Sequence, residues 1–486
     1  MEYFAEHLLP EERSLFTYVP TTAQYIDLIT ERYADKPALS DETRTETYAE
    51  MADHIARRRT VLKEQGLKLG DMVGLLDVNS IAAVEWFLAL TSYGCTAVMM
   101  PAQLSPEVVA GSALRFEMKC IIAGPALIGN TAKSPVPVIP AETMAETATP
   151  AGAVEKTTRC AVFFTGGTTG TPKGVVLNHG AFMRGTYNGA HREGTVLNQT
   201  LVAVLPFTHV FGLIFSLTGA LFTGAQVAVC GVMRNVFAMM AQYKPTTMVV
   251  VPGLGEMMLG MVRMRGIGVL GGNLKTVIMG GAPVPPKTIQ GFIDLGISVA
   301  FGYGMTETAN LVAGNFDFAK YPTSVGQHFP EQEVKVVDGE LWVRGDLLFD
   351  GYWKDEAATA AAMEDGWLKT GDLARIDENG YIYIVGRIKN LIILGNGENV
   401  SPEEVEEVFY RSPMIHDCLV SEMEVNGTAV IGMEVQPMPG VTEEAVRAEV
   451  SRLNKTLPST MQVSKVIVRM EDFKKTGSLK IARNQH

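Results

Sequence analysis

The stretch Thr165-Gly166-Gly167-Thr168-Thr169-Gly170-Thr171-Pro172-Lys173-Gly174 follows the apolar run Cys160–Phe164. Its four glycines let the backbone approach an anion closely and point N–H groups at it. The threonine hydroxyls can donate to phosphate oxygens, and Lys173 adds a mobile positive charge. The stretch is not a Walker A motif, because Pro172 stands before the lysine where that motif has glycine. It predicts a phosphate-binding loop after a buried strand, although a Gly/Thr-rich loop taken alone is also compatible with a structural turn.

Up to about residue 380, short apolar runs alternate with Gly or Pro turns and helical patterns. Met72–Val78 leads into the apolar-periodic segment Ser80–Tyr93 and then into Cys95–Met100. Such runs, rich in Val and Ile, are typical of parallel strands. The pattern predicts an α/β fold with parallel sheets flanked by helices, in which ligands bind beyond the carboxyl ends of the strands. Further strand candidates are Leu201–Leu205, Thr247–Val251, Thr276–Met279 and Ser298–Phe301.

The pattern changes near residue 386. Ser401-Pro402-Glu403-Glu404 predicts a helix start, with a Ser cap, Pro at the first helical position and Glu at the capping-box position. Met414–Glu422 and Thr428–Val435 are strand candidates, and one face of a later helix carries Val446, Val450, Leu453 and Leu457. We therefore expect a large N-terminal domain, residues 1–386, and a small α+β domain, residues 387–486, joined by a short hinge.

Composition excludes several classes of protein. With 47% hydrophobic and 19% charged residues, the 486-residue chain can bury a large core. A net charge of −12 without clustered Lys and Arg disfavours a nucleic-acid-binding surface. The cysteines are scattered, so they predict neither a zinc site nor a disulfide framework. They are Cys95, Cys120, Cys160, Cys230 and Cys418.

No targeting or membrane-spanning segment is expected. The N-terminus has no basic region followed by an apolar core, so we expect no secretory signal and a cytoplasmic location. Val210–Cys230 is about long enough to span a bilayer. Pro206, His209, Gln226 and three internal glycines instead favour a buried helix followed by a buried strand.

The glycine-rich stretch resembles the phosphate loop of the adenylate-forming (AMP-binding) superfamily. This superfamily includes acyl- and aryl-CoA synthetases, peptide-synthetase adenylation domains and beetle luciferases. Members commonly carry Ser where this chain has Gly166, and the glycine form is familiar among fatty-acyl-CoA synthetases. Further motifs follow in the family's order between about residue 160 and residue 486. The resemblance implies that ATP is bound by Thr165, Gly166, Gly167, Thr168, Thr169, Gly170 and Lys173.

The block Tyr303-Gly304-Met305-Thr306-Glu307 resembles the family's Y-G-x-T-E motif. The resemblance implies that Tyr303 packs on the adenine, that Thr306 contacts the α-phosphate and that Glu307 helps to hold Mg²⁺; Gly304 is also assigned to the ATP site. An aromatic face suits a purine, and a carboxylate suits a hard cation. In isolation, the block would also fit a buried tyrosine followed by a helix-capping threonine.

Three further blocks complete the expected nucleotide site. Gly280-Gly281-Ala282-Pro283 resembles the segment that admits both adenine and the acyl group. The resemblance assigns Gly281, Ala282 and Pro283 to the ATP site, and it assigns Gly281 to the acyl pocket as well. Asp372, in Thr370-Gly371-Asp372, corresponds to the ribose-binding aspartate; a surface-loop aspartate is the alternative. In Gly386-Arg387-Ile388-Lys389-Asn390, Arg387 is the expected ribose contact and Lys389 the pivot of the hinge.

The acyl pocket is expected beside His209. The segment Pro206–Gly212 resembles the one whose histidine borders that pocket, although a lone histidine in an apolar run is also compatible with a core position. The region lacks the aspartate with which amino-acid-activating domains bind the substrate's α-ammonium group. A buried ammonium would have no counter-charge there, so the sequence predicts an apolar fatty or aryl acid.

The C-terminal block Lys474–Arg483 resembles the one that carries the adenylation lysine. Aligning Thr476-Gly477-Ser478 with the family's small residues places that role on Lys480, with Lys474 or Lys475 as the alternative register. Leu479 stands where relatives usually have glycine. Ile393 replaces a lysine that many relatives carry four residues after the pivot. The thiol-acceptor region, with Gly395 and Gly397, is one residue longer than the commonest form of the family and resembles that of long-chain acyl-CoA synthetases more closely.

The resemblance implies ATP- and Mg²⁺-dependent conversion of a carboxylic acid to acyl-AMP, with release of pyrophosphate. The acyl group would then pass to a thiol, with coenzyme A as the first choice. One alternative is a stand-alone adenylation enzyme that loads a separate acyl carrier protein or an amine. A more distant alternative is a non-catalytic nucleotide-binding protein.

Overall fold

The structure is a computed structural model that describes residues 8–165, 173–191, 196–282, 284–394, 399–425, 428–474, 481 and 483. In this part of the chain the strands form sheets of nine, seven, five, three and two strands. The two largest sheets consist mainly of parallel strands with helices between them in sequence. The α/β class predicted from the sequence is therefore confirmed.

The nine-stranded sheet has six parallel strands at its centre and antiparallel strands at both ends. The predicted strand Thr276–Met279 has the bounds that the sequence indicated, and all four residues are buried. A strand buried on both faces needs such a continuous apolar run. In spatial order the strands are Gln327–His328, Ala313–Asn315, Ser298–Tyr303, Thr276–Met279, Thr247–Val250, Thr200–Ala203, Gln226–Val229, Pro37–Ser40 and Thr45–Thr47.

The seven-stranded sheet contains the strand that precedes the glycine-rich stretch. Five of its strands are parallel, and an antiparallel pair lies at one edge. In spatial order they are Gly351–Tyr352, Lys173–Asn178, Arg159–Thr165, Thr96–Met99, Met72–Leu76, Cys120–Ala123 and Val138–Pro140.

Helices cover these sheets and begin at polar caps. The helix Ile81–Tyr93 starts after Ser80, whose side chain accepts a hydrogen bond from the Ala83 N–H, and ends at Gly94 with φ of 104°. The longer α-helices in the described residues are Thr22–Tyr33, Tyr48–Glu64, Ile81–Tyr93, Pro106–Arg115, His179–Ala190, Val236–Tyr243, Pro252–Arg265, Pro286–Ile293, Pro402–Tyr410 and Glu443–Asn454. Shorter ones are Pro10–Arg13, Gly219–Phe222 and Glu356–Ala362.

The segment considered as a membrane span is a buried helical stretch followed by a buried strand, as predicted. A π-helix, Phe211–Thr218, continues into Gly219–Phe222, and Gln226–Val229 then joins the nine-stranded sheet. Among the described residues, every helix is too short or too polar to cross a membrane. All five cysteines are unpaired and buried.

A five-stranded antiparallel sheet follows, which the sequence patterns did not predict. It contains Gln332–Val337, Glu340–Gly345, Met363–Glu364, Trp367–Ile376 and Ile382–Arg387. In its register Asp372 lies opposite Arg387. This pairing brings together two residues that separate sequence motifs had nominated.

The C-terminal region has its own apolar core, which includes Val405, Phe409, Val446 and Val450. The helix Pro402–Tyr410 starts as predicted, because the Ser401 side chain accepts a hydrogen bond from the Glu404 N–H. The predicted strands form a hairpin, Ile415–Val425 with Thr428–Pro437, and a third strand that was not predicted, Lys465–Val468, runs parallel to the second. A two-stranded ladder, Ile392–Ile393 with Asn399–Val400, lies between the hinge block and this helix in sequence.

Candidate active site

The ends of the predicted phosphate loop lie side by side. Thr165 ends the strand Arg159–Thr165, Lys173 begins Lys173–Asn178, and these two residues are antiparallel partners. The loop between them therefore starts and finishes at one edge of the seven-stranded sheet. Gly166, Gly167, Thr168, Thr169 and Gly170 lie outside the described residues.

Glu307 is a buried carboxyl group beside this edge. It lies in the short 3₁₀ turn Thr306–Thr308, and only 6% of its surface is exposed. The Tyr352 hydroxyl donates to Glu307 Oε1 at 2.8 Å, and Lys173 Nζ lies 4.6 Å from the centroid of the Tyr352 ring. These contacts place Glu307 near the lysine at the end of the predicted phosphate loop.

The electrostatics of Glu307 fit a cation site. Burial raises the pKa of its carboxyl group, while the Tyr352 hydrogen bond and the charges of Arg387 and Lys173 oppose that rise. A cation at the carboxylate would offset the desolvation that disfavours its charged form. The residue present therefore suits the Mg²⁺ that the sequence motif implies.

The turn that carries Glu307 depends on a close approach of two backbone segments. A Cβ atom at Gly304 would lie 1.3 Å from the carbonyl oxygen of Asn310, so a larger residue is sterically excluded. The Met305 N–H donates to Thr308 Oγ1 at 3.0 Å. Together these contacts hold Thr306, which is partly buried, at the start of the 3₁₀ turn directly after the strand that ends at Tyr303.

Tyr303, Asp372 and Arg387 form a connected group. The Tyr303 hydroxyl donates to Asp372 Oδ2 at 2.6 Å, and Arg387 Nε donates to Oδ1 at 2.6 Å. Burial, followed by the adjacent Asp372 carboxylate, raises the pKa of Tyr303, so the phenol stays protonated and acts as a donor. Asp372 is 4% exposed and is held by partners from two different sheets. The surface-loop alternative for this aspartate is therefore wrong.

An open cleft adjoins this group. It has a volume of about 330 Å³ and is lined by Glu340, Thr370, Gly371, Arg387, Ile388 and Lys389. Lys389 lies in the 3₁₀ turn Ile388–Asn390. Partial burial, and then the charge of Arg387, lower the pKa of its amino group.

The two segments expected to border the acyl group are in contact. A Cβ atom at Gly280 would lie 2.9 Å from Cζ of Phe211, so the ring packs directly on that glycine. Gly281 has φ of 80°, and Ala282 is partly buried. His209 is exposed, two residues before the π-helix, and the core alternative for this histidine is therefore wrong.

Some nominated residues lie outside the part of the chain that the structure describes. They are Pro283, Gly395, Gly397 and Lys480, together with the loop residues named above. Lys474, the alternative to Lys480 in the described region, is exposed.

Tyr352 is a site residue that sequence reasoning missed. It lies in the aromatic-rich stretch Phe349-Asp350-Gly351-Tyr352-Trp353, and its strand Gly351–Tyr352 pairs with Lys173–Asn178. In the sequence, this aromatic cluster predicts only that the side chains pack in an apolar environment. It does not indicate which carboxyl group a tyrosine hydroxyl will meet, because Glu307 is 45 residues away in sequence.

The chain is similar to known proteins in both sequence and fold. The family model described as AMP-binding enzyme matches residues 27–353. The chain is 32% identical over 428 residues to 4-coumarate--CoA ligase-like 3 of Oryza sativa subsp. japonica, covering 74% of this chain and 70% of that protein. It is 29% identical over 405 residues to the long-chain-fatty-acid--CoA ligase FadD15 of Mycobacterium bovis, and this match covers 72% of this chain and 66% of FadD15.

The match to FadD15 thus spans just under two thirds of that relative's length. Among solved structures, the anthranilate CoA ligase AuaEII in complex with anthranoyl-AMP superposes with a TM-score of 0.84 at 20% identity, covering 96% of each chain. This likeness shows that the two chains share a fold.

Proposed function

Because the chain belongs to the AMP-binding enzyme family, we propose that it converts a carboxylic acid to acyl-AMP and then transfers the acyl group to coenzyme A. One observation carries the proposal: Arg387 of the Tyr303–Asp372–Arg387 group and Lys173, at the end of the glycine-rich loop, both act electrostatically on the buried carboxyl of Glu307. A group suited to a nucleoside therefore adjoins groups suited to phosphates and a cation.

Adenylation replaces a poor leaving group with a good one. A carboxylate oxygen of the acid attacks the α-phosphorus of ATP, the new O–P bond forms, and the bond to the β-phosphate oxygen breaks to release pyrophosphate. The main barrier is the approach of an anion to a polyanion. Lys173 and Lys480 would offset this charge, and Mg²⁺ held by Glu307 would neutralise phosphate oxygens.

Asp372 can hold ribose without losing its present partners. A carboxylate offers about four lone-pair positions, and Tyr303 and Arg387 occupy some of them. The remaining positions can accept hydrogen bonds from ribose hydroxyls. In this proposal Arg387 adds a ribose contact and Tyr303 and Gly304 border the adenine. Thr306 contacts the α-phosphate, and the remaining ATP contacts come from Thr165, the glycine-rich loop, Gly281, Ala282 and Pro283.

The proposed substrate is an apolar fatty or aryl acid bound near His209 and Gly281. The Mycobacterium bovis relative is described as a long-chain-fatty-acid--CoA ligase, and the Oryza sativa relative as 4-coumarate--CoA ligase-like. Neither a fatty acid nor 4-coumarate carries an α-ammonium group. The contact of Phe211 with Gly280 puts an aromatic wall at this position. A carrier protein or an amine stays the alternative acceptor, and a cytoplasmic location is part of the proposal.

We further propose a domain boundary at residues 386 and 387, supported by the separate apolar core of the C-terminal region. Rotation about Lys389 would exchange Lys480 for the region of Gly395 and Gly397 near the acyl-adenylate. Lys389→Pro should leave pyrophosphate release in a single turnover unchanged and slow thioester formation. Equal losses in both steps would contradict the hinge role.

The assignment of the adenylation lysine can be tested with a matched pair of variants. Lys480→Ala should slow single-turnover pyrophosphate release by on the order of 10²–10³, as the loss of a preorganised charge stabiliser does. Lys474→Ala, at an exposed lysine of the same block, is the control and should stay within about twofold of the parent protein. The reverse result would place the role in the alternative register.

A further inference from the structure

Arg483 lies three residues after Lys480 in sequence and makes several contacts with other residues of the small domain. Its Nη2 atom lies 2.5 Å from Glu406 Oε2 and 3.4 Å from Glu403 Oε1, and its Nη1 atom donates to the Val420 carbonyl oxygen at 3.1 Å. A guanidinium with several acceptors in fixed positions is well oriented, because its donors form a rigid planar fork. Arg483 is therefore held against the helix Pro402–Tyr410 and the strand Ile415–Val425.

Glu406 is fixed at both of its oxygens. The residue is buried, its Oε2 meets Arg483, and its Oε1 accepts a hydrogen bond from the Val420 N–H at 2.7 Å. A buried carboxylate needs such partners to offset its desolvation. Glu406 therefore gives Arg483 a rigid counter-charge.

Glu403 connects the same arginine to the hinge. Its Oε1 atom accepts a hydrogen bond from Asn390 Nδ2 at 2.6 Å and also faces Arg483. Ser401 Oγ lies 3.2 Å from Glu403 Oε2 and donates to the Val385 carbonyl oxygen at 2.7 Å. Asn390 directly follows Lys389, so one carboxylate links the turn at the hinge to Arg483.

We propose that Glu403 and Glu406 are positioning residues that act through Arg483 to place the segment carrying Lys480, and that Glu403 couples this placement to the hinge turn at Asn390. The inference rests on the proposed function. Cα atoms three residues apart are separated by at most about 11 Å, so fixing Arg483 restricts where Lys480 can reach. Misplacing a catalytic group by about 1 Å can slow a reaction by about 10².

The alternative is that these contacts only stabilise the small domain. Removing one partner of a buried ion pair does destabilise proteins. If the contacts were purely structural, their loss would lower the rates of both half-reactions alike, because the small domain takes part in each. A positioning role for Lys480 would affect adenylation alone.

The test compares the two half-reactions in Glu403→Gln and Arg483→Met. Single-turnover pyrophosphate release from ATP and acid should fall by about 10–100-fold in each variant. Conversion of chemically prepared acyl-AMP to acyl-CoA should stay within about twofold of the parent protein. Arg483→Lys, which keeps the charge, should recover part of the lost adenylation rate.

Glu443→Gln is the matched control, because it removes an exposed carboxylate paired with Arg447 on another helix of the same domain. It should change neither half-reaction. An equal fall in both half-reactions, or no fall in adenylation, would overturn the inference. Absence of acid-dependent pyrophosphate release in the parent protein would overturn the proposed function instead, so the two failures are distinguishable.

Discussion

The hydroxyl of Tyr303 donates a 2.6 Å hydrogen bond to Oδ2 of Asp372, a residue 69 positions later in the sequence. Tyr303 ends a strand of the nine-stranded sheet, and Asp372 lies in the antiparallel sheet. Arg387 holds the second carboxylate oxygen of Asp372. The aspartate is therefore oriented before a nucleotide binds, which lowers the entropy lost on binding.

Asp372→Asn should weaken ATP binding. The amide keeps the size of the side chain but loses the charge that pairs with Arg387 and accepts strongly from ribose hydroxyls. Hydrogen bonds to charged groups contribute about 1.5–3 kcal/mol, so the Kd for ATP should rise by about 10–100-fold in calorimetry. Asp365→Asn, at an exposed turn residue with φ of 49°, is the control and should leave the Kd unchanged. An unchanged Kd in Asp372→Asn would exclude Asp372 from the nucleotide site.

Tyr352→Phe should increase the Mg²⁺ requirement, most strongly at low pH. The Tyr352 hydrogen bond lowers the pKa of Glu307 against the effect of burial. Without this hydrogen bond the pKa of Glu307 rises further, so protons compete with Mg²⁺ for the carboxylate over a wider range of pH. The Mg²⁺ concentration for half-maximal pyrophosphate release should rise several-fold at about pH 6.5 and less at about pH 8.5.

The control for this variant is Tyr383→Phe, whose hydroxyl donates to Asp377 away from Glu307. It should leave the Mg²⁺ requirement unchanged at both pH values. If Tyr352→Phe behaves like this control, Tyr352 does not support a cation site at Glu307.

The rate of adenylation should depend on the charge of Glu406. Burial raises the pKa of this carboxyl group to about 7, although Arg483 and the Val420 N–H oppose the rise. As the pH falls through about 7, Glu406 takes up a proton and its ion pair with Arg483 is lost. Single-turnover pyrophosphate release should therefore fall with decreasing pH across this range.

Glu406→Gln is neutral at every pH and should lack this inflection, at a rate close to that of the parent protein at low pH. Identical pH profiles for the two proteins would mean that the Glu406–Arg483 pair does not influence adenylation.

Local signals in the sequence were enough to locate several of the parallel strands and the cap of one helix, whereas the parallel strands Pro37–Ser40, Cys120–Ala123 and Val138–Pro140 were not predicted. Thr276–Met279 is a buried strand with the apolar run Val277-Ile278-Met279, and Ser401 caps its helix through contacts within three residues. The antiparallel sheet was missed although Asp338-Gly339 carries a hairpin signal. These two residues have φ of 50° and 83°, and Val337 pairs with Glu340 across them. This dipeptide predicts two of the five strands, Gln332–Val337 and Glu340–Gly345.

Contacts between distant residues could not be predicted in this way. The family motifs nominated Tyr303, Asp372 and Arg387 separately, and only the packing of two sheets shows that they share hydrogen bonds. Likewise, the Ser401-Pro402-Glu403-Glu404 block predicts a helix start but not that Glu403 meets Asn390 and Arg483. Such contacts depend on tertiary structure, which local propensity does not encode.

Pyrophosphate release with ATP, Mg²⁺ and a panel of fatty and aryl acids, each with and without CoA, tests the central claim most directly. The proposed function predicts acid-dependent release that turns over repeatedly when CoA is present, with an apolar acid as the best substrate. A single stoichiometric burst unaffected by CoA would confirm adenylation but contradict CoA as the acceptor. No acid-dependent release across the panel would contradict the enzyme assignment and favour a non-catalytic nucleotide-binding protein.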